Sequence, residues 1–122
     1  MNFGQTICHI GFPSKRFERD GVPYKTKGII LMETFLIGYD LMAKGQNYAC
    51  LESKIKEVAN AWWHCLDSTW IIQANSTPSA IRDTLTKCLD GNDKLLVIKI
   101  TGAAAAWHGF SKQNSEWLKA HL

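Results

Sequence analysis

The stretch 60-NAWWHCLDSTWII-72 decides how this chain folds. Three tryptophans, a histidine, a cysteine, an aspartate, a serine and a threonine fall within thirteen residues. Trp62, His64 and Leu66 share one parity, and Trp63 and Cys65 share the other. That is the two-residue period of a strand, in residue types that strands favour. Asp67 and Ser68 supply a tight bend or bulge, after which STWIIQA resumes as a second strand. One parity is expected to pack a core, the other to face a partner subunit or a polar site.

Upstream, FLIGYDL closes a β-rich apolar run, and a central strand is predicted over Glu33 to Asp40. MAKGQNY reads as a loop, with Asn47 placed to cap a helix. Tyr48, Leu51, Ile55 and Val58 then recur at helical spacing, with Glu52, Lys54, Lys56 and Glu57 mostly outward. Downstream, Thr77 followed by Pro78 is a helix start: a hydroxyl cap, then proline at the first helical position. Ile81, Leu85, Cys88 and Leu89 form its buried stripe. DGND turns the chain, KLLVIKI makes a last strand, GAAAAWHGF links, and SKQNSEWLKAHL forms a terminal helix capped by Ser111. The order β-α-β-β-α-β predicts an α+β fold, a ferredoxin-like plait with both helices on one face, extended by a C-terminal helix.

Residues 1–31 show no sustained period and are punctuated by glycine and proline. They read as an irregular N-terminal arm, with a short strand at Thr6 to Ile10, ahead of a compact domain over 32–122. Met32 is an alternative natural start. Residues 1–28 are therefore expected to be dispensable for folding. The net charge of +3 lies in this arm, where five basic residues face two acidic ones; the rest of the chain is balanced. Such an arm either attracts phosphates or merely solvates the chain.

At 122 residues the chain can bury a core without staples. No apolar run approaches the roughly 20 residues of a membrane span, and no secretory leader is visible, so a cytoplasmic protein with no membrane partner is expected. Cys8, Cys50, Cys65 and Cys88 are scattered without a Cys-x-x-Cys pair, and are expected to be reduced, buried thiols. No P-loop, G-x-G-x-x-G, H-E-x-x-H or EF-hand loop is present, which leaves ATP, NAD and zinc chemistry without support.

Three blocks in order, FLIGYDL, WWHCLDSTWII and DKLLVIKI, resemble the small prokaryotic SinR-like proteins, which are distinct from the helix-turn-helix repressor of similar name. More distantly they are similar to the Cas-two subunit of the CRISPR spacer-acquisition complex and to the VapD toxin ribonucleases. The likeness covers about residues 33–122 and leaves the arm outside. It implies a homodimer in which the aspartates ending the first strands approach each other. In several members of those families they hold a divalent cation for phosphodiester cleavage, whereas the CRISPR subunit needs no cleavage for its role.

The resemblance makes Asp40 a candidate ligand for magnesium or manganese; otherwise it caps the turn that follows. His64 is a candidate general acid or base, or a strand histidine bonded to a neighbour. Asp67, Ser68 and Thr69 either line a phosphate or water, or shape a hairpin. Ser68 lacks the G-x-S-x-G setting of a hydrolase nucleophile. Trp62, Trp63 and Trp70 either stack bases or pack a core. Lys44 and Arg82, with Lys15, Arg16 and Arg19 of the arm, are candidate phosphate contacts. Three functions remain open: a metal-dependent endoribonuclease of a toxin or defence system, a non-catalytic scaffold or regulator on RNA or DNA, and a dimeric module that binds a neighbouring defence or antitoxin protein.

Overall fold

Five strands make one antiparallel sheet: β1 His9–Gly11, β2 Glu33–Asp40, β3 Ala61–Leu66, β4 Thr69–Ala74 and β5 Lys94–Lys99, in the spatial order β1-β3-β4-β2-β5. Among the described residues three helices accompany it: α1 Tyr48–Val58, α2 Pro78–Leu85, which runs into a 3-10 turn at Thr86–Cys88, and α3 Lys112–His121. This computed structural model describes residues 8–12, 32–42 and 48–122. The fold is α+β, and its element order is compatible with the expected plait.

The alternation of β2 divides the molecule into two cores. Phe35, Ile37 and Tyr39 point to one face, where Trp70 and Ile72 of β4 meet Leu51 and Ile55 of α1 and Ile81 and Leu85 of α2. α1 and α2 thus cover the same side. The opposite face carries a second cluster, in which Trp63, Cys65 and Ile71 pack against Trp117 and Leu118 of α3, with Ile10, Trp107 and Phe110 at its margin. Each fully buried large side chain contributes roughly 1.5–3 kcal/mol of transfer free energy. β3 and β4 are therefore buried on both faces, which explains why 60–72 is so aromatic.

The helix starts follow the chemistry expected of them. Thr77 accepts a bond from the Ala80 amide at 3.1 Å, with Pro78 at the first helical position. Ser111 accepts from the Asn114 amide at 3.1 Å. Asn47 lies outside the described residues.

Three findings depart from expectation. First, part of the arm belongs to the sheet. β1 pairs with β3, His9 opposite His64, Ile10 opposite Trp63 and Gly11 opposite Trp62. Residues 9–11 are thus an edge strand within the segment expected to be dispensable. The predicted strand at Thr6 to Ile10 falls partly outside the described residues, and the observed one ends a residue later. Gly11 is required here, because a Cβ would sit 2.6 Å from Cζ2 of Trp62.

Second, the cysteines are paired, not free: Cys8 bonds Cys65, and Cys50 bonds Cys88. The pairs are separated by 57 and 38 residues, so no local spacing announces them. The sheet places Cys8 beside β3, and the α1–α2 packing brings Cys50 to the turn after α2.

Third, a register shift in β3 between Trp63 and Leu66 interrupts strict alternation. Leu66 pairs with Thr69 on the Trp63 side of the sheet and is 45% exposed, so it does not share a face with Trp62 and His64.

Candidate functional site

The carboxyl end of β2 opens into a cleft of about 400 Å³ lined by Gly38, Tyr39, Asp40, Ser68, Thr69 and Lys94, with Leu95 and Leu96 at its border. β2 delivers Asp40, and the antiparallel register sets Lys94, the first residue of β5, directly opposite it. The β3–β4 turn delivers Ser68, whose carbonyl accepts the Tyr39 amide at 3.1 Å. Ser68 has φ 57°, the left-handed region that residues other than glycine rarely occupy. Asp93 ties the segments after β2 and before β5 together. Its two carboxylate oxygens accept the amides of Met42, at 2.9 Å, and Asp90, at 2.8 Å.

Asp40, Ser68 and Thr69 are thus gathered around one cleft, and Lys94 is a member that the sequence reading missed. The strand DKLLVIKI was recognised, but only its antiparallel register with β2 brings its first lysine beside Asp40. Asp67 is exposed at the turn. Arg82 lies apart on α2, with its guanidinium 2.9 Å from Asp83, beside a second depression lined by Pro78, Ser79 and Leu95 to Val97. Lys15, Arg16, Arg19 and Lys44 lie outside the described residues. Among the described residues no group of three or more histidine, cysteine, aspartate or glutamate side chains is arranged to hold a metal ion.

His64 is elsewhere. It belongs to the face covered by α1 and α2, is only 7% exposed, and stacks on Trp70 with ring centroids 4.0 Å apart. Neither ring nitrogen has a hydrogen-bond partner among the described residues. Burial, helped by His9 and Lys56 and opposed by Asp67, pushes its pKa down to about 4. It is therefore a neutral imidazole at neutral pH. Burial also lowers the pKa of His9, helped by Lys56 and opposed by Glu52. Trp70 donates its indole N–H to the Tyr39 hydroxyl at 3.1 Å. Burial raises the Tyr39 pKa to about 12 against that bond, with Glu52, Tyr48 and Asp67 adding to the rise, so the phenol stays protonated.

The tryptophans are structural. Trp63 is buried under α3 and donates to the Asn114 carbonyl at 3.2 Å. Trp70 is fully buried, and half-buried Trp62 lies under the Lys56 ammonium.

Beside the cleft the sheet carries exposed apolar side chains. Leu96 and Ile98 of β5 are 56% and 43% exposed, and they share a face with half-buried Leu36 and with Leu66. Among the described residues β5 pairs with β2 alone. No helix among the described residues is long and apolar enough to cross a membrane. No family model matches the chain, and neither the curated proteins nor the solved structures contain a significant match to it.

Proposed function

We propose that the chain is a homodimeric, divalent-cation-dependent endoribonuclease in which two copies of a ferredoxin-like plait join their Asp40 clefts. The observation that carries this reading is the convergence of Asp40, Ser68, Thr69 and Lys94 directly beside an exposed apolar strip. One carboxylate is too few for magnesium or manganese, which favour octahedral oxygen coordination. The residues fit such a cation only when a second copy contributes its own Asp40. The strip of Leu36, Leu66, Leu96 and Ile98, and the edge of β5 that no described strand pairs, offer that copy a surface to cover.

Asp40 would hold the cation, which when bound supplies positive charge to the phosphate. Lys94 brings an ammonium, and the Ser68 and Thr69 hydroxyls offer donors to phosphate oxygens. The left-handed conformation of Ser68 is the kind of local strain that gathers at functional sites. His64 lies on the other face of the sheet and takes no part. The two disulfides favour an oxidising compartment over the cytoplasm.

The test is labelled RNA and single-stranded DNA incubated with parent and Asp40→Asn in magnesium or manganese, beside sedimentation of both proteins. The parent should be dimeric and cleave RNA. Asp40→Asn should keep its fold and lose both cleavage and the metal-dependent rise in melting temperature. Leu96→Asp should give monomers without activity. A monomeric parent, or cleavage that survives in Asp40→Asn, refutes the reading. A second reading, a non-catalytic module that binds a protein of a defence or toxin system, is favoured by the exposure of Leu66, Leu96 and Ile98. It becomes the better one if the parent is dimeric but inert.

A further inference from the structure

Two histidines from distant parts of the chain meet at the β1–β3 edge. His9 and His64 are direct cross-strand partners, their ring centroids 5.4 Å apart and their planes at 78°. The neighbouring residues on the two strands, Cys8 and Cys65, are joined by a disulfide. That covalent link prevents β1 from slipping, and a one-residue slip would turn His9 to the other face. The register that opposes the imidazoles is therefore locked beside them.

His64 uses its ring face against Trp70, which leaves its edge for bonding. Yet both ring nitrogens are buried without a partner among the described residues, on a side chain 7% exposed. Buried polar atoms are nearly always satisfied, and one that is not calls for a missing partner. His9 is half-buried.

We infer that His9 and His64 form a two-imidazole site for a borderline divalent transition metal of the zinc, nickel or copper class. Metal–nitrogen bonds of about 2.0–2.1 Å put each ring centroid about 3.2 Å from the ion. Two such rings at a tetrahedral angle have centroids about 5.2 Å apart. The observed 5.4 Å is close to that spacing. Imidazole is the ligand such metals prefer. The remaining positions are left to water or an incoming donor. Glu52 and Asp67 act on His9 and His64 with negative charge and oppose the nearby Lys56. The site lies across the sheet from Asp40 and takes a different class of ion, so it stands independently of the nuclease reading.

The test uses the full-length, metal-stripped, disulfide-intact protein titrated separately with copper, nickel, zinc and magnesium chlorides. Tryptophan fluorescence and melting temperature are read together. Copper and nickel should quench Trp70, which stacks on His64 and lies 5.7 Å from His9. Saturation should come at one equivalent, zinc should compete, and magnesium at the same concentration should leave the quenching unchanged. His9→Gln should fold as the parent does, since His9 sits half-buried on an edge, and should weaken binding about tenfold or more. His64→Gln should do the same, whereas His108→Ala and His121→Ala should bind as the parent. Removing the lock with Cys8→Ala and Cys65→Ala together should also weaken binding. Parental affinity in His9→Gln, loss of the site in His108→Ala or His121→Ala, or no saturable binding in the parent overturns the inference.

Discussion

Removing the Cys50–Cys88 bond should cost this protein a large part of its stability. The perturbation is Cys50→Ala combined with Cys88→Ala, alanine being preferred to serine because Cys88 is 4% exposed and a hydroxyl there would be buried without a partner. The two residues are 38 apart. Closing a loop of that length removes chain entropy from the unfolded state equivalent to about 4 kcal/mol, and measured bonds usually deliver about 2–4 kcal/mol. A domain of this size has in total roughly 5–15 kcal/mol. The assay is urea unfolding of protein refolded in a glutathione redox buffer, followed by tryptophan fluorescence. The midpoint of the variant should fall by roughly 2 M, since urea slopes are about 1–3 kcal/mol per molar. Reductant should shift the parent at least as far, because it also opens Cys8–Cys65. Alkylation in denaturant without reductant should label no cysteine in the parent and two others, Cys8 and Cys65, only after reduction of the variant. Four reactive thiols in the refolded parent, or equal midpoints with and without reductant, would refute the pairing.

Three further outcomes are expected. Gly11→Ala should lower the melting temperature and expose β1 to hydrogen exchange, because its Cβ would meet the Trp62 ring at 2.6 Å; an unchanged exchange pattern would count against the β1–β3 pairing. Ser68→Gly should stabilise by about 0.5–1 kcal/mol in urea unfolding, since the φ of 57° costs glycine nothing, and a loss of stability would mean that the Ser68 side chain contributes more than its backbone costs. The folded pKa of His64, about 4, lies below its ordinary 6.5, so its contribution is complete above about pH 6.5 and is lost as pH falls from there toward 4. In EDTA the parent should lose about 2 kcal/mol between pH 7 and pH 5, and His64→Leu should show a flatter profile; parallel profiles would contradict the burial of a neutral imidazole.

Features that live within a few residues were legible in the chain. The period of 33–40, the Thr77–Pro78 start of α2 and the Ser111 cap of α3 each follow from local chemistry. Asp40 and Ser68 were singled out, and the structure places them at one cleft. What escaped was set by register between distant strands. The shift in β3 moves Leu66 to the other face, and no alternation rule detects it. His9 looked like part of an irregular arm, because a three-residue edge strand carries too little periodicity to stand out. Its partner His64 lies 55 positions away, and the cysteine pairs are equally remote. Lys94 entered the cleft through its pairing with Asp40, a relation that neither strand carries alone.

The second core has a consequence for synthesis on the ribosome. Its β-hairpin is complete by residue 74, and the first core closes soon after with α2 and β5. The side of Trp63 and Ile71 that faces α3 stays incompletely covered until Trp117 and Leu118 have been made. Translation proceeds at about 5–20 residues per second, so this apolar surface stays partly bare on the nascent chain for roughly two to ten seconds. During that interval it offers a binding surface to chaperones and a route to aggregation. Chains that terminate before α3 should carry the first core intact and yet be recovered mainly in the insoluble fraction.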